Sequence, residues 1–264
     1  MPNTPIGNTI KKRRLWTEPE MVLTLDLYFK LPFGRLNYTT CEVIELAHLI
    51  GRTPSAVAFR LVNYAACDPY ILNSGRHGMD GGKSTCISYW EYYSVHREEL
   101  FIKAAQFKAE LQQQTLEQML AIDVEDYTGK ERETVIKQRV NQGAFRSMVL
   151  ANYNERCAVT GIDIPKLLVA SHIIPWAANE QERLNPENGI CLSALYDRAF
   201  DQGLIGIKSD YRIILSSELE SHSNDPYFEK HFASVADQKI MLPEEHKPNK
   251  AFLDYHLQNV FLGI

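Results

Sequence analysis

Cysteine is scarce in this sequence. The five present in 264 residues (Cys41, Cys67, Cys86, Cys157 and Cys191) are odd in number and widely spaced. That argues against a disulfide scaffold and for a reducing, cytoplasmic setting. Long apolar runs are lacking too. None approaches the roughly 18 residues that a membrane-spanning helix needs, so no membrane partner is expected. The opening segment, MPNTPIGNTIKKRR, has no apolar run before its basic cluster and none directly after it, so it does not read as a secretory signal. Nor does one sign of charge dominate. The net charge is −5, with 13 Lys+Arg against 11 Asp+Glu in residues 1–110 and 15 against 22 in residues 111–264. This balance argues against a protein that coats DNA non-specifically. It leaves room for a DNA enzyme, because binding depends on local charge on one face. What the chain does have is 45% apolar and 23% charged residues, the balance of a globular protein. Its length suits one large or two ordinary domains.

The first part reads as helical. Residues 1–15 form a basic arm. Thr17 and Glu20 have the spacing of a capping box, with Pro19 in the first turn of a helix over 17–30. A second helix over 41–50 is closed by Gly51, and Thr53-Pro54 opens a third. Helix, glycine turn, then a helix starting Thr-Pro-Ser is the pattern of a helix-turn-helix, and equally of a plain helical hairpin. In the first case Ser55 faces the DNA major groove, with Arg52 and Arg60 near phosphates. Residues 73–86 (NSGRHGMDGGKSTC) read as a loop. Their GMDGGKST stretch fails the phosphate-loop pattern because only three residues separate Gly78 from Gly82. Residues 88–120 read as helical and end in a Gln-rich run, and 121–138 read as a linker. The expected organisation is a helical, DNA-binding region over 1–120, the linker, and a catalytic domain over 139–264.

The chemistry concentrates in residues 139–207. The expected order is a helix over 142–153, a short strand over Leu167–Ser171 ending at His172, a polar loop, and a turn at Asn185-Pro186-Glu187-Asn188-Gly189. A second strand, Ile190–Leu192, then leads to a helix capped by Ser193 that runs to about Asp201. A β-hairpin over 204–219 and a final helix carrying His256 follow. His256 is assigned to packing.

The motifs R-x-x-Q-x-x-F-R (Arg139, Gln142, Phe145, Arg146), Y-x-x-R-C-A-V-T-G, S-H-I-I-P-W, N-G-I-C-L and F-D-Q-G-L, in this order, resemble the HNH endonucleases of the bacterial restriction-type branch. The front of the chain (W-T-x-x-E, L-P-F-G, G-R-T-P-S-A-V) is similar to the front half of such proteins. The resemblance implies an α+β fold with a ββα-metal core. It implies a metal-dependent endonuclease acting on double-stranded DNA in restriction or other anti-phage defence. His172 becomes the general base and Asn188 the residue that holds the loop and orients His172. Asp197 and Asp201 become ligands of Mg²⁺ or Mn²⁺, since oxygen donors suit these ions better than zinc. Arg146 joins the candidate DNA contacts. Cleaving both strands with one site per chain implies a homodimer.

Three departures from the family pattern matter. Asp197 stands where the family name has its second His. Ser171 precedes His172 where many relatives have a metal ligand, so a water or Asp201 must take that place, or a ligand is missing. Cys157 and Cys191 lack Cys-x-x-Cys partners, so no structural zinc is expected. These departures also motivate an alternative, a DNA-binding protein with a degenerate, non-catalytic core. An RNase or an interaction module that docks through residues 1–110 is a third reading.

Overall fold

The structure is a computed structural model and describes residues 14–123 and 129–263. It is an α+β protein. Helices α1 (Glu18–Phe29), α2 (Cys41–Leu49) and α3 (Pro54–Ala65) open the chain, and α4 (Pro69–Asn73), α5 (Lys83–Tyr93), α6 (Arg97–Leu111) and α7 (Leu116–Leu120) complete its helical half. The long helix α8 (Gly129–Asn152) follows. The hairpin β1 (Leu168–His172) and β2 (Gly189–Ser193) then leads to α9 (Ala194–Asp201). A second hairpin, β3 (Ile205–Ile207) and β4 (Ile213–Leu215), precedes α10 (Ser217–Glu220), α11 (Pro226–His231) and α12 (Lys250–Asn259). No described helix is long and apolar enough to cross a membrane.

Local chemistry explains the first helices. The backbone N–H of Thr17 donates to the Glu20 carboxylate at 2.8 Å, and the Thr53 hydroxyl accepts from Ala56 N–H at 3.2 Å, so both N-termini are capped. Met21, Val22 and Leu25 on α1, Val43 and Ala47 on α2, and Val57 and Leu61 on α3 are all buried in one core. Glu20 lies inside this unit at 3% exposure and holds Arg52 by two bonds of 2.8 and 2.9 Å, with Arg14 as a further partner.

Several sequence expectations shift. The loop assigned to 73–86 is shorter, because α5 starts at Lys83. Asn63 of α3 donates to the Met79 carbonyl at 2.7 Å, and Gly78 lies so close to α3 that a Cβ there would meet Ala66 N at 2.2 Å. That tertiary contact draws the segment in, and composition alone carries no sign of it. The helical run expected over 88–120 is three helices, broken near Ser94 and again near Gln113, whose φ is +56°. The helix expected over 142–153 starts 13 residues earlier, at Gly129, and occupies the second part of the expected linker. The basic cluster at 11–13 and part of the linker, 124–128, lie outside the described residues.

α8 packs against α6 and α7 on one side and against β1 and β2 on the other. The segment at 244–246 also reaches back to the helical half. The Glu245 carboxylate accepts from Phe33 N–H at 3.2 Å and pairs with Arg76, and the Tyr70 hydroxyl accepts from His246 N–H at 2.7 Å.

Candidate active site

β1 and β2 pair antiparallel in a register that sets His172 opposite Gly189 and Ser171 opposite Ile190. Gly189 has no side chain for a steric reason: a Cβ there would lie 2.3 Å from Val149 and 2.9 Å from Phe145 of α8. Its absence lets α8 close onto the end of the hairpin. Successive strand residues point to opposite faces. Accordingly, His172 stacks on Phe145 of α8, with ring centroids 3.6 Å apart, while Ser171 lies beside Asp197 of α9.

The His172 ring is held on three sides. Phe145 covers one face, Trp176 meets it edge-on at 5.4 Å, and Nε2 lies 3.1 Å from the Arg183 carbonyl oxygen. A carbonyl only accepts, so Nε2 carries the proton and Nδ1 keeps a free lone pair in the neutral ring. Burial lowers the imidazole pKa to about 4, the Arg183 carbonyl works against that shift, and the Arg183 charge adds to it. The ring is therefore neutral near pH 7. Arg183 is fixed in turn by its Nε bond to the Trp176 carbonyl at 2.7 Å.

Asn188 is 1% exposed and ties the loop between the strands. Its Oδ1 accepts from Ile174 N–H at 2.8 Å, and its Nδ2 donates to the carbonyls of Ile174 (3.2 Å) and Glu182 (3.1 Å). Its backbone carbonyl accepts from Ile173 N–H at 2.9 Å. It makes no bond to the His172 ring. It shapes the loop that carries the Arg183 carbonyl, and that carbonyl holds the ring.

Asp197 and Asp201 are one turn apart on α9. Desolvation raises the Asp197 pKa, and the nearby Ser171 hydroxyl and Arg198 offset part of the rise. The Asp201 carboxyl is pushed up to about 6 by desolvation and by the Asp197 charge, with Arg198 again opposing. Asp201 is solvent-exposed, so water screens part of these effects. Ser171 is 2% exposed and its hydroxyl has no partner of regular hydrogen-bond geometry. Among the described residues, no group of three or more His, Cys, Asp or Glu is gathered as a metal cage. The two carboxylates one turn apart, with the Ser171 hydroxyl beside Asp197, nevertheless offer oxygen donors of the kind a divalent ion binds.

The other expected contacts divide. Arg146 spans the start of the hairpin, donating to the carbonyls of Leu168 (2.8 Å) and Pro165 (3.0 Å), and lines a surface cleft with Gln142, His172 and Trp176. Ser55 is exposed on the first turn of α3. Arg52 is instead bound to Glu20 and stacked on Trp16. Arg60 is 7% exposed, lies over the same indole, and reaches the Gly82 carbonyl at 3.4 Å. Both guanidiniums are committed inside the helical half, whereas the sequence expectation put them at phosphates. The reason is the buried Glu20 carboxylate and the Trp16 ring, which offer closer partners.

Cys157 accepts from Ser193 N–H at 3.1 Å and Thr160 N–H at 3.4 Å. Burial pushes its pKa up, but the Thr160 hydroxyl, together with the backbone N–H groups around the sulfur, outweighs burial and holds it below the usual thiol value. Burial pushes Cys191 up to about 12. Both are free buried thiols. His256 stacks face to face on Phe200 at 3.7 Å and its Nε2 meets the Phe200 carbonyl at 3.1 Å, so it fastens α12 to α9. Sequence reasoning missed Trp176 and Arg183 as holders of His172. Phe145 lay within a quoted motif without a role, and Arg183 had no signal, because it acts through its carbonyl.

Among characterised proteins, none matches the chain. Residues 157–208, from Cys157 through β1, β2, α9 and β3, match the family model of the HNH endonucleases known as HNH_2. The matched segment contains His172, Asn188, Asp197 and Asp201, and the C-terminal half of the chain thus carries an HNH endonuclease domain.

Proposed function

We propose that the protein is a metal-dependent endonuclease that hydrolyses phosphodiester bonds in double-stranded DNA. The observation that carries this reading is the neutral His172 ring at the end of β1, with Nε2 occupied by a carbonyl and Nδ1 free. Nδ1 takes the proton from a water as that water attacks the phosphorus. Asp197 and Asp201 are the residues that hold a divalent ion. Such an ion supplies positive charge to the phosphate and the departing 3′ oxygen. Asn188 keeps the loop in the shape that holds His172, and Arg146 on the cleft wall attracts a phosphate. Ser55 is the remaining candidate contact from the helical half. Restriction or another anti-phage role in the cytoplasm fits this activity, with two copies of the chain acting on the two strands.

A second reading is favoured by one observation, the small donor set. Among the described residues, two carboxylates and a hydroxyl fall short of a ready-made cage, which suits a DNA-binding protein that no longer cuts. One experiment separates the two. Purified protein is incubated with plasmid, single-stranded DNA and RNA in Mg²⁺, Mn²⁺, Ca²⁺ or EDTA, with His172→Ala and Asp197→Asn alongside. Cutting of duplex DNA that needs metal and is lost in both folded variants is the expected result. Cutting retained by folded His172→Ala overturns the assignment of the base. DNA binding without metal uptake in calorimetry selects the second reading.

A further inference from the structure

Between the helical half and the nuclease half lies a cavity of about 90 Å³. One water centre needs roughly 10–15 Å³, so the space accepts several non-hydrogen atoms, about the size of one six-membered ring with substituents. Its walls are aromatic. Phe29 stacks on Trp90 with centroids 5.3 Å apart, and Tyr70 stacks on His246 at 4.3 Å. Of the polar groups that line it, Lys30 is paired with Asp26, Glu245 with Arg76, and Asn152 donates to the His246 carbonyl. A guanidinium and a carboxylate that form no ion pair with each other are left. Arg97 lies 4.9 Å over Phe29, forms no ion pair among the described residues, and donates from Nη1 to the Leu184 carbonyl at 3.3 Å. Asp68 accepts from the Tyr28 hydroxyl and from Tyr70 N–H, each at 2.8 Å, and a carboxylate has lone pairs beyond these two.

We propose that this cavity is a binding site for a pyrimidine base. The ring lies against the aromatic walls, a carbonyl or ring nitrogen accepts from Arg97, and an N–H donates to Asp68. Water alone satisfies the two charges but gains nothing from the aromatic faces. A flat ring carrying an acceptor and a donor satisfies both. The size of the cavity favours one ring over the fused rings of a purine. The base has two sources, a free nucleoside or a nucleotide turned out of a DNA strand. The loop between β1 and β2 links the site to the candidate active site. Pro186 lines the cavity two residues before Asn188, and the Leu184 carbonyl that Arg97 holds is next to the Arg183 carbonyl that holds His172.

The test is binding to the full chain in EDTA, where cleavage plays no part. Quenching of Trp90 fluorescence and calorimetry are read with cytidine, uridine and adenosine, and with a short duplex carrying an unpaired pyrimidine. Saturable binding of a pyrimidine, free or in the duplex, with a Kd at or below about 1 mM, and at least about tenfold weaker binding of adenosine, is the expected result. Arg97→Gln and Asp68→Asn each weaken it about 10- to 100-fold. Asp68→Asn decides alone if Arg97→Gln does not fold. No saturable binding from either source, binding of adenosine as tight as that of the pyrimidines, or pyrimidine binding unchanged in folded Asp68→Asn overturns the proposal. Each outcome is independent of whether the enzyme cuts.

Discussion

At the residue scale, a main-chain carbonyl decides what His172 can do. The Arg183 oxygen accepts a hydrogen bond from Nε2–H, and burial keeps the ring uncharged well below neutral pH. A correctly placed general base contributes roughly 10²–10⁴-fold. His172→Ala is therefore expected to lower the cleavage rate by at least about 100-fold while the circular dichroism spectrum stays native. The same burial makes the fold acid-sensitive. His172, His246 and His256 all have folded-state pKa values lowered to about 4 by desolvation. Between pH 6.5 and 4 the unfolded chain takes up protons that the folded chain refuses, so stability falls as the pH is lowered through that window. Asp201 works the other way. Its raised pKa means that protonation favours the fold as the pH falls through about 6, which offsets part of the loss. Asp197, also raised by desolvation, adds to that offset. With three histidines against two aspartates, thermal melts are expected to show a lower midpoint at pH 4.5 than at pH 7. His256→Gln keeps an N–H for the Phe200 carbonyl but cannot titrate, and is expected to reduce the proton uptake on unfolding by about one in this window.

At the element scale, the hairpin and α9 were legible in the sequence because their punctuation is local. Pro186 and Gly189 fix the turn, Ser193 and Gly203 bracket the helix, and the apolar runs between them are too short for anything but strands. The pairing of Asp197 with Asp201 was legible for the same reason, since residues four apart share a helix face. The start of α5 was not legible, because α3 draws in the segment before it. That of α8 was not, because its first turns are mostly polar and exposed and are tied to α7 by Arg132 and Glu117. The fates of Arg52 and Arg60 were hidden likewise, as nothing local marks Glu20 or Trp16 as their partners. Two substitutions probe how the hairpin is held. Gly189→Ala places a methyl 2.3 Å from Val149 Cγ2. It is expected to cost about 1–3 kcal/mol, read as a lower denaturation midpoint, and Val149→Ala added to it should restore part of the loss. Asn188→Ala strips Ile174 and Glu182 of their side-chain partners. Hydrogen exchange over residues 173–187 should speed up more than exchange in α1–α3, and cleavage should fall even though His172 is untouched.

At the scale of the whole molecule, the question is whether the helical half and the nuclease half unfold as one. The sequence suggested a linker over 121–138, but α8 begins at Gly129 and lies against both halves. The segment at 244–246 adds a second tie, from the far end of the chain to Phe33, Tyr70 and Arg76. Contacts from two separate stretches of sequence couple the halves more firmly than a single linker does, because neither half can open without breaking both. Calorimetry of the full chain is accordingly expected to give one transition, with van't Hoff and calorimetric enthalpies in agreement. Glu245→Ala offers the sharper test. It leaves the Phe33 N–H and the half-exposed Arg76 without their buried partner, at a cost of about 1–3 kcal/mol. If the halves are one unit, the single transition moves down by several degrees as a whole. Two separated transitions, with only one of them sensitive to Glu245→Ala, would show instead that the 121–138 segment acts as a hinge between domains that fold on their own.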